Sequence, residues 1–283
     1  MKFLLSTFVL FSMAVCLGQD MPDQQAFEID VKNLETLNLH NLRGDVEVKG
    51  TDTKKIRVTI KRQLDARRQA LIDEARSQYY FDTLTRGTGI YFVMQSPHLD
   101  FKIDRDGFGY YNSRNSWTWN DRESVSYRFD ITVEFPKHMN LNVSSHHDGL
   151  SIEEVDGNLY AKSHHKDLFA QGIGGNAMLK SHHGDIEASF SKNPSDECRF
   201  KTHHGDIKIT YQDKFSADVK LSSHHGEFFT EFDWEPKPMR VIKEPSSKGT
   251  KYKIGDGTYV AINNGGPLQQ YSTWHGDIYL VKN

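Results

Sequence analysis

Residues 141–158 read LNVSSHHDGLSIEEVDGN, residues 159–176 read LYAKSHHKDLFAQGIGGN, and residues 177–199 read AMLKSHHGDIEASFSKNPSDECR. The first two blocks are 18 residues long, and the histidine pair returns at His203-His204 and His224-His225 after steps of 21. Laid over one another, Leu141, Leu159 and Ala177 share one place. Val143, Ala161 and Leu179 share a second, and Leu150, Leu168 and Ile186 a third. Each block holds two short runs of alternating apolar and polar residues. The first ends at the histidines, the second at a turn such as Asp156-Gly157-Asn158 or Gly174-Gly175-Asn176. Alternation with period two marks a strand, and Gly/Asn/Asp clusters mark turns. Two strands and two turns per 18 residues make one coil of a β-solenoid, of the β-helix or β-roll kind. One such coil cannot bury its own apolar face, so identical residues at identical places predict stacking.

The frame extends beyond this run. LNLHNLRGDVEVKG from Leu37 puts Leu42-Arg43-Gly44-Asp45-Val46 at the same corner, and YSTWHGDIYLVKN from Tyr271 closes the chain with Trp274-His275-Gly276-Asp277-Ile278. In this frame Arg43-Gly44-Asp45 is a corner of the repeat, not a free recognition tripeptide. Between the first copy and the main run, RQLDARRQALIDEARSQYYFDTL from Arg62 has helix-favouring composition. Leu64, Leu71, Ala75 and Tyr79 fall on one face, with Arg68 the polar gap, and predict a helix of about four turns. Residues 88–95 and 127–135 alternate like strands, while 98–126 form a polar, aromatic-rich excursion. The organisation expected is a mainly β chain with one amino-terminal helix. Residues 19–135 make an opening edge and capping segment, and 136–283 make the repeat solenoid, interrupted at about 233–270 by a Pro/Gly-rich insertion.

Composition narrows the function. The 283 residues carry 35 basic and 38 acidic side chains, a balance that gives no footprint for nucleic acid. Residues 1–18, MKFLLSTFVLFSMAVCLG, combine a lysine, an apolar run from Phe3 to Val15 and small residues, which reads as a signal peptide cut before Gln19. Lipidation at Cys16 is a weaker alternative, because Met13-Ala14-Val15 lacks the small residue expected before a lipidated cysteine. No later run is apolar enough for a transmembrane helix. The chain is expected outside the cytoplasm, in the periplasm, on the outer-membrane surface or secreted. Only Cys198 would survive cleavage, so no disulfide framework is available.

These repeats resemble the bacterial "putative adhesin" family of exported β-solenoid domains of unknown function. The resemblance runs through FDITVEFPKHMNLNVSSHHDGLSIEEVDGNLYAKSHH, KSHHGDIEASF, KTHHGDIKITY and the terminal GGPLQQYSTWHGDIYLVKN, with the helix and Pro136-Lys137 ahead of the repeats adding to it. It implies a right-handed solenoid, export and a role in surface interaction, with no defined catalytic site. The departure is at the corner, where the family has Val-Asn or Ser-Gly and this chain has His-His in five copies.

Adjacent residues on a strand point to opposite faces. By that parity the second histidine of each pair (His147, His165, His183, His204, His225 and, by frame, His275) tucks against the turn, and the first points to solvent. Ladders of imidazoles a strand spacing apart can simply fill corners and satisfy turn amides. They also suit Zn²⁺, Cu²⁺ or Ni²⁺, with Asp185, Asp206, Glu227 and Asp277 near enough to orient rings or join as ligands. Ser145-His146-His147-Asp148 contains triad residue types, but contiguous strand residues do not converge. A polysaccharide-acting enzyme with stacked carboxylates is a third reading, behind an interaction scaffold and a metal binder. The excursion's Tyr110, Tyr111, Trp117 and Trp119 are candidates for contact with an envelope or extracellular protein or a glycan.

Overall fold

The computed structural model describes residues 22–104, 107–112, 125–238, 241–246, 249–254 and 257–283. The predicted signal segment, Trp117 and Trp119 lie outside them. Strands dominate, in one sheet of ten and one of eleven, with two separate hairpins. The repeats feed the two large sheets alternately. Asn140–Ser145, Leu159–Ser163, Ala177–Lys180 and Cys198–Lys201 enter the larger sheet. Leu150–Glu153, Leu168–Ile173, Ile186–Phe190 and Ile207–Tyr211 enter the other. All of these neighbours pair in parallel.

The register is the one written in the repeats. Leu141 lies opposite Leu159 and Leu159 opposite Ala177; Val143, Ala161 and Leu179 follow. In the other sheet Leu150 faces Leu168 and Leu168 faces Ile186. These residues are 3% exposed or less, so each vertical file is a core column between the sheets. Full burial of one such aliphatic side chain is worth about 1.5–3 kcal/mol. The early copy joins in frame. Asn41 lies opposite Ser145 and Val46 opposite Leu150, although about a hundred residues separate them.

Two elements depart from the sequence reading. The helix is shorter, Gln69–Gln78, because Arg62 to Asp65 continue the strand Lys55–Asp65. In that strand Ile56, Val58 and Ile60 alternate inward and Arg62 takes the next inward place at 5% exposure. Its guanidinium donates to the carbonyls of Arg76 and Tyr79 at 2.7 Å each, and to the Asp23 carboxylate at 3.1 Å. A residue assigned to the start of the helix thus grips its end from a neighbouring strand.

The second departure is the order of the last coils. Leu268–Thr273 runs parallel between Cys198–Lys201 and Ala217–Ser223. Ile278–Lys282 runs between Ile207–Tyr211 and Phe228–Thr230. The end of the chain is therefore inserted beneath the coil that precedes it in sequence. The Pro/Gly-rich insertion makes this possible. Trp234–Pro236 and Thr258–Ile262 extend the sheet edge antiparallel beside Ala217–Ser223, and Val241–Ser246 pairs with Gly249–Ile254 as a hairpin. In the polar excursion, Leu99–Asp104 and Gly107–Asn112 form a second hairpin, with Tyr110 and Tyr111 on its later strand.

Candidate functional site

The corner is organised by the hydroxyl residue before each ring pair, except at the outermost copy, where Ser223 is exposed. Ser145, Ser163, Ser181, Thr202 and Thr273 are all buried at 8% exposure or less. Ser145 Oγ donates to the Asp148 carbonyl at 2.7 Å and Ser163 Oγ to the Lys166 carbonyl at 2.5 Å. Ser181 Oγ accepts the Gly184 N–H at 3.1 Å. Both histidines then lie on the outside. His146 and His164 are half-buried, while His147, His165, His182, His183, His203, His204, His224, His225 and His275 are exposed. This corrects the parity argument, which tucked the second histidine of each pair inward. Strand parity ends with the strand at Ser145, and the serine or threonine takes the last inward place.

The rings form two columns. In the first, His146 stacks on His164 at 4.4 Å between centroids, His164 on His182 at 4.8 Å and His182 on His203 at 5.2 Å. Trp274 and then His224 continue it, at 5.9 and 4.2 Å. In the second, His147, His165, His183, His204, His275 and His225 follow one another at 5.0, 5.5, 5.4, 5.0 and 4.8 Å, with ring planes within 10° of parallel. The backbone holds this spacing through the corner itself. The N–H of His165 donates to the His146 carbonyl, that of His183 to His164 and that of His204 to His182, at 2.9–3.1 Å. At the amino-terminal end the same contacts are made to Asn41 and Leu42.

The acidic residue of the corner has a different task from orienting rings. Asp167 accepts the backbone N–H of Asp185, Asp185 that of Asp206, Asp206 that of Asp277, and Asp277 that of Glu227, at 2.8–2.9 Å. Asp45 likewise accepts Gly149 N–H at 2.9 Å. Each carboxylate thus fastens the next coil. The glycine before it solves a packing problem. A Cβ on Gly276 would sit 2.0 Å from the Gly205 carbonyl oxygen, and its φ of +146° disfavours side chains besides. The carboxylate file ends on Arg128, which bridges Asp45, Asp130 and Asp148 at 2.7–2.9 Å.

Burial and neighbouring basic groups lower the pKa of several rings. Burial, then the neighbouring His147, His164 and His165 and Lys162, pulls the pKa of His146 down to about 4. Burial also brings His40 down to about 4, with His146 and Lys162 adding to it. His147, His164, His182 and His204 are lowered by burial first and by neighbouring basic side chains second. Of the proposed metal ligands, His147 and His165 join His146 in a group whose ligand atoms all lie within 4.8 Å of one another. His183, His204, His275 and His225 continue the column beyond that group. Parity hid His146 as a candidate; the buried serine before it is the signal that reveals the outward turn. Cys198 is buried and its thiol is pushed up to about 11 by that burial, so it lies in the core.

Residues 23–261 match the model of the family described as Toastrack DUF4097. No curated protein matches the chain. Among solved structures, a "putative cell adhesion protein" from Clostridium sporogenes is 10% identical, with a TM-score of 0.44 over 93% of this chain and 100% of that one. A "putative adhesin" from Bacteroides fragilis is 9% identical, with a TM-score of 0.31 over 93% and 99%. A "putative lipid binding protein" from Parabacteroides distasonis is 12% identical, with a TM-score of 0.31 over 92% and 97%.

Proposed function

The chain belongs to the Toastrack DUF4097 family, and from that premise we propose that it is a non-catalytic, exported scaffold of the cell envelope that presents its ring-lined edge to a partner. In this reading residues 1–18 direct export and are removed. Residues 19–135 open and cap the stack, and the repeat strands from 136 onward, apart from the insertion at about 233–270, pair up as coils of a right-handed solenoid. The observation that carries it is the outer edge, where two continuous columns of aromatic rings face outward. The Ser145 hydroxyl and the corner carboxylates that a hydrolytic site would need are engaged with backbone groups instead. A regular edge whose backbone spacing is held by hydrogen bonds between coils suits recognition, since little backbone freedom is lost on binding. Among the described residues no helix is long and apolar enough to cross a membrane.

The test is binding of the purified chain to isolated bacterial envelopes and to a glycan array. Saturable binding that disappears in a His182→Asn, His183→Asn, His203→Asn triple variant with unchanged circular dichroism supports the edge as the contact. Absence of binding to both materials, or a chain that stays in the cytoplasm with its first 18 residues intact, overturns the reading. Glycan binding that survives Trp117→Ala with Trp119→Ala removes those tryptophans from the contact.

A second reading, capture of Zn²⁺, Cu²⁺ or Ni²⁺ by the columns, is favoured by one observation. Ring nitrogens of three histidines from two successive coils lie close together at the amino-terminal end.

A further inference from the structure

We infer that His146, His147 and His165 form one discrete site for a divalent ion of the imidazole-preferring class, at the amino-terminal end of the columns. The inference rests on the metal-capture reading and narrows it from a repeating surface to a single place. One ligand atom from each of the three lies within 4.8 Å of the others, and among the described residues only this trio of histidines meets that condition. The doublet supplies two nitrogens and the next coil a third. Ring centroids are 4.4 Å apart for His146–His147, 5.3 Å for His146–His165 and 5.0 Å for His147–His165.

Tetrahedral coordination with bonds near 2.0–2.1 Å sets ligand nitrogens about 3.3 Å apart. Closing from 4.8 Å needs about 1.5 Å, within reach of side-chain rotation by the exposed His147 and His165. His146 supplies the fixed point. It is half-buried, its backbone N–H donates to the Asn41 carbonyl, and its buried Nδ1, like that of His164 outside the trio, has no hydrogen-bond partner. A ring nitrogen without a partner retains its lone pair for a metal, or carries a proton that a metal displaces. Arg43 and Lys162 oppose a cation here and Asp148 offsets them, which favours an ion bound through strong nitrogen bonds over one held by charge alone.

Three protein nitrogens leave a fourth position open. Water or a donor from a partner takes it, which is the pattern of an accessible site instead of a closed structural one.

The test is calorimetric titration of the untagged chain with ZnCl₂ and CuCl₂, paired with electron paramagnetic resonance of the Cu²⁺ form. We expect one equivalent bound, with a nitrogen-coupled spectrum. Affinity should fall at least tenfold in His146→Asn, His147→Asn and His165→Asn and stay unchanged in His204→Asn and His275→Asn. His147→Asn alters an exposed ring, so it keeps the test sound if His146→Asn disturbs the fold. Several equivalents filling alike, with His204→Asn lowering their number, would overturn the single site and leave capture along the columns standing. One equivalent that survives both His147→Asn and His165→Asn also overturns it. Uptake no tighter than that of an oligohistidine tag removes both.

Discussion

His40 lies on the strand Thr36–Asn41, opposite Ser144 in the next coil, and its Nδ1 is hydrogen-bonded to the Ser144 hydroxyl. Burial holds its pKa down to about 4, and the neighbouring His146 and Lys162 push the same way. An unfolded histidine titrates near 6.5. Between those values the unfolded chain takes up a proton that the folded chain refuses, so this contribution is complete above about pH 6.5. It is lost as pH falls toward 4, by at most about 3 kcal/mol for such a difference. His182 and His204 have lowered values and add loss of the same sign. Urea midpoints measured with a chelator present should therefore fall between pH 7.5 and 5, and His40→Asn should flatten the slope. A parent midpoint that does not move across that range would refute the account. At this scale much was legible. The Gly-Asp pairs read as turn chemistry, and the carboxylates do fasten successive coils through backbone N–H groups. Ring direction was not legible, since parity describes a strand and the histidines follow its end.

The helix shows why elements are harder to delimit than repeats. Leu64, Leu71, Ala75 and Tyr79 fit a helical stripe, but Ile56, Val58, Ile60, Arg62 and Leu64 fit an alternating one just as well. Long-range pairing settles the ambiguity. Lys55–Asp65 is hydrogen-bonded along its length to Ser126–Pro136, a partner no local pattern announces. The arginine at the junction is then committed to the helix end. Its side chain is 1% exposed while Asp23 beside it is 57% exposed, so its main bonds are to two backbone carbonyls. Arg62→Met should strand those carbonyls and cost about 2–4 kcal/mol in equilibrium unfolding, in line with loss of one partner from a buried charged contact. Arg62→Lys should recover little, because one ammonium lacks the planar fork that spans the carbonyls and the carboxylate together. A methionine variant within about 0.5 kcal/mol of the parent, the usual range for a neutral surface change, would show that water satisfies the helix end instead.

The order of the last coils belongs to the molecule as a whole. SSHHGEF at Ser222 and STWHGDI at Ser272 both fit on KTHHGDI at Lys201, and nearness along the chain favours the wrong one. Aromatic matching favours the other. Tyr271 stacks on Phe200 at 5.1 Å, and its hydroxyl meets that of Tyr211 at 2.5 Å in the core, where the earlier segment offers Leu221. Gly276 also repeats the positive φ of Gly205 beneath it, 146° against 147°. Ala217–Ser223 instead takes the outer place, where Thr258–Ile262 covers its free edge. The consequence is a dependence that runs backward along the chain, since 217–230 has no coil to rest on until 268–282 is in place. Stacked units gain stability mainly from their nearest neighbours, so losing one should release what lies beyond it and spare what lies before. A chain ending at Pro267 should keep hydrogen-exchange protection from 24 to about 200. It should lose protection over 217–230 and 258–262 and become open to protease there, with the bared edge of Ile207–Tyr211 promoting association. Protection of 217–230 undiminished in the shortened chain would mean that this segment can close directly on Cys198–Lys201, and that the inserted order is a choice between two stackings of similar stability.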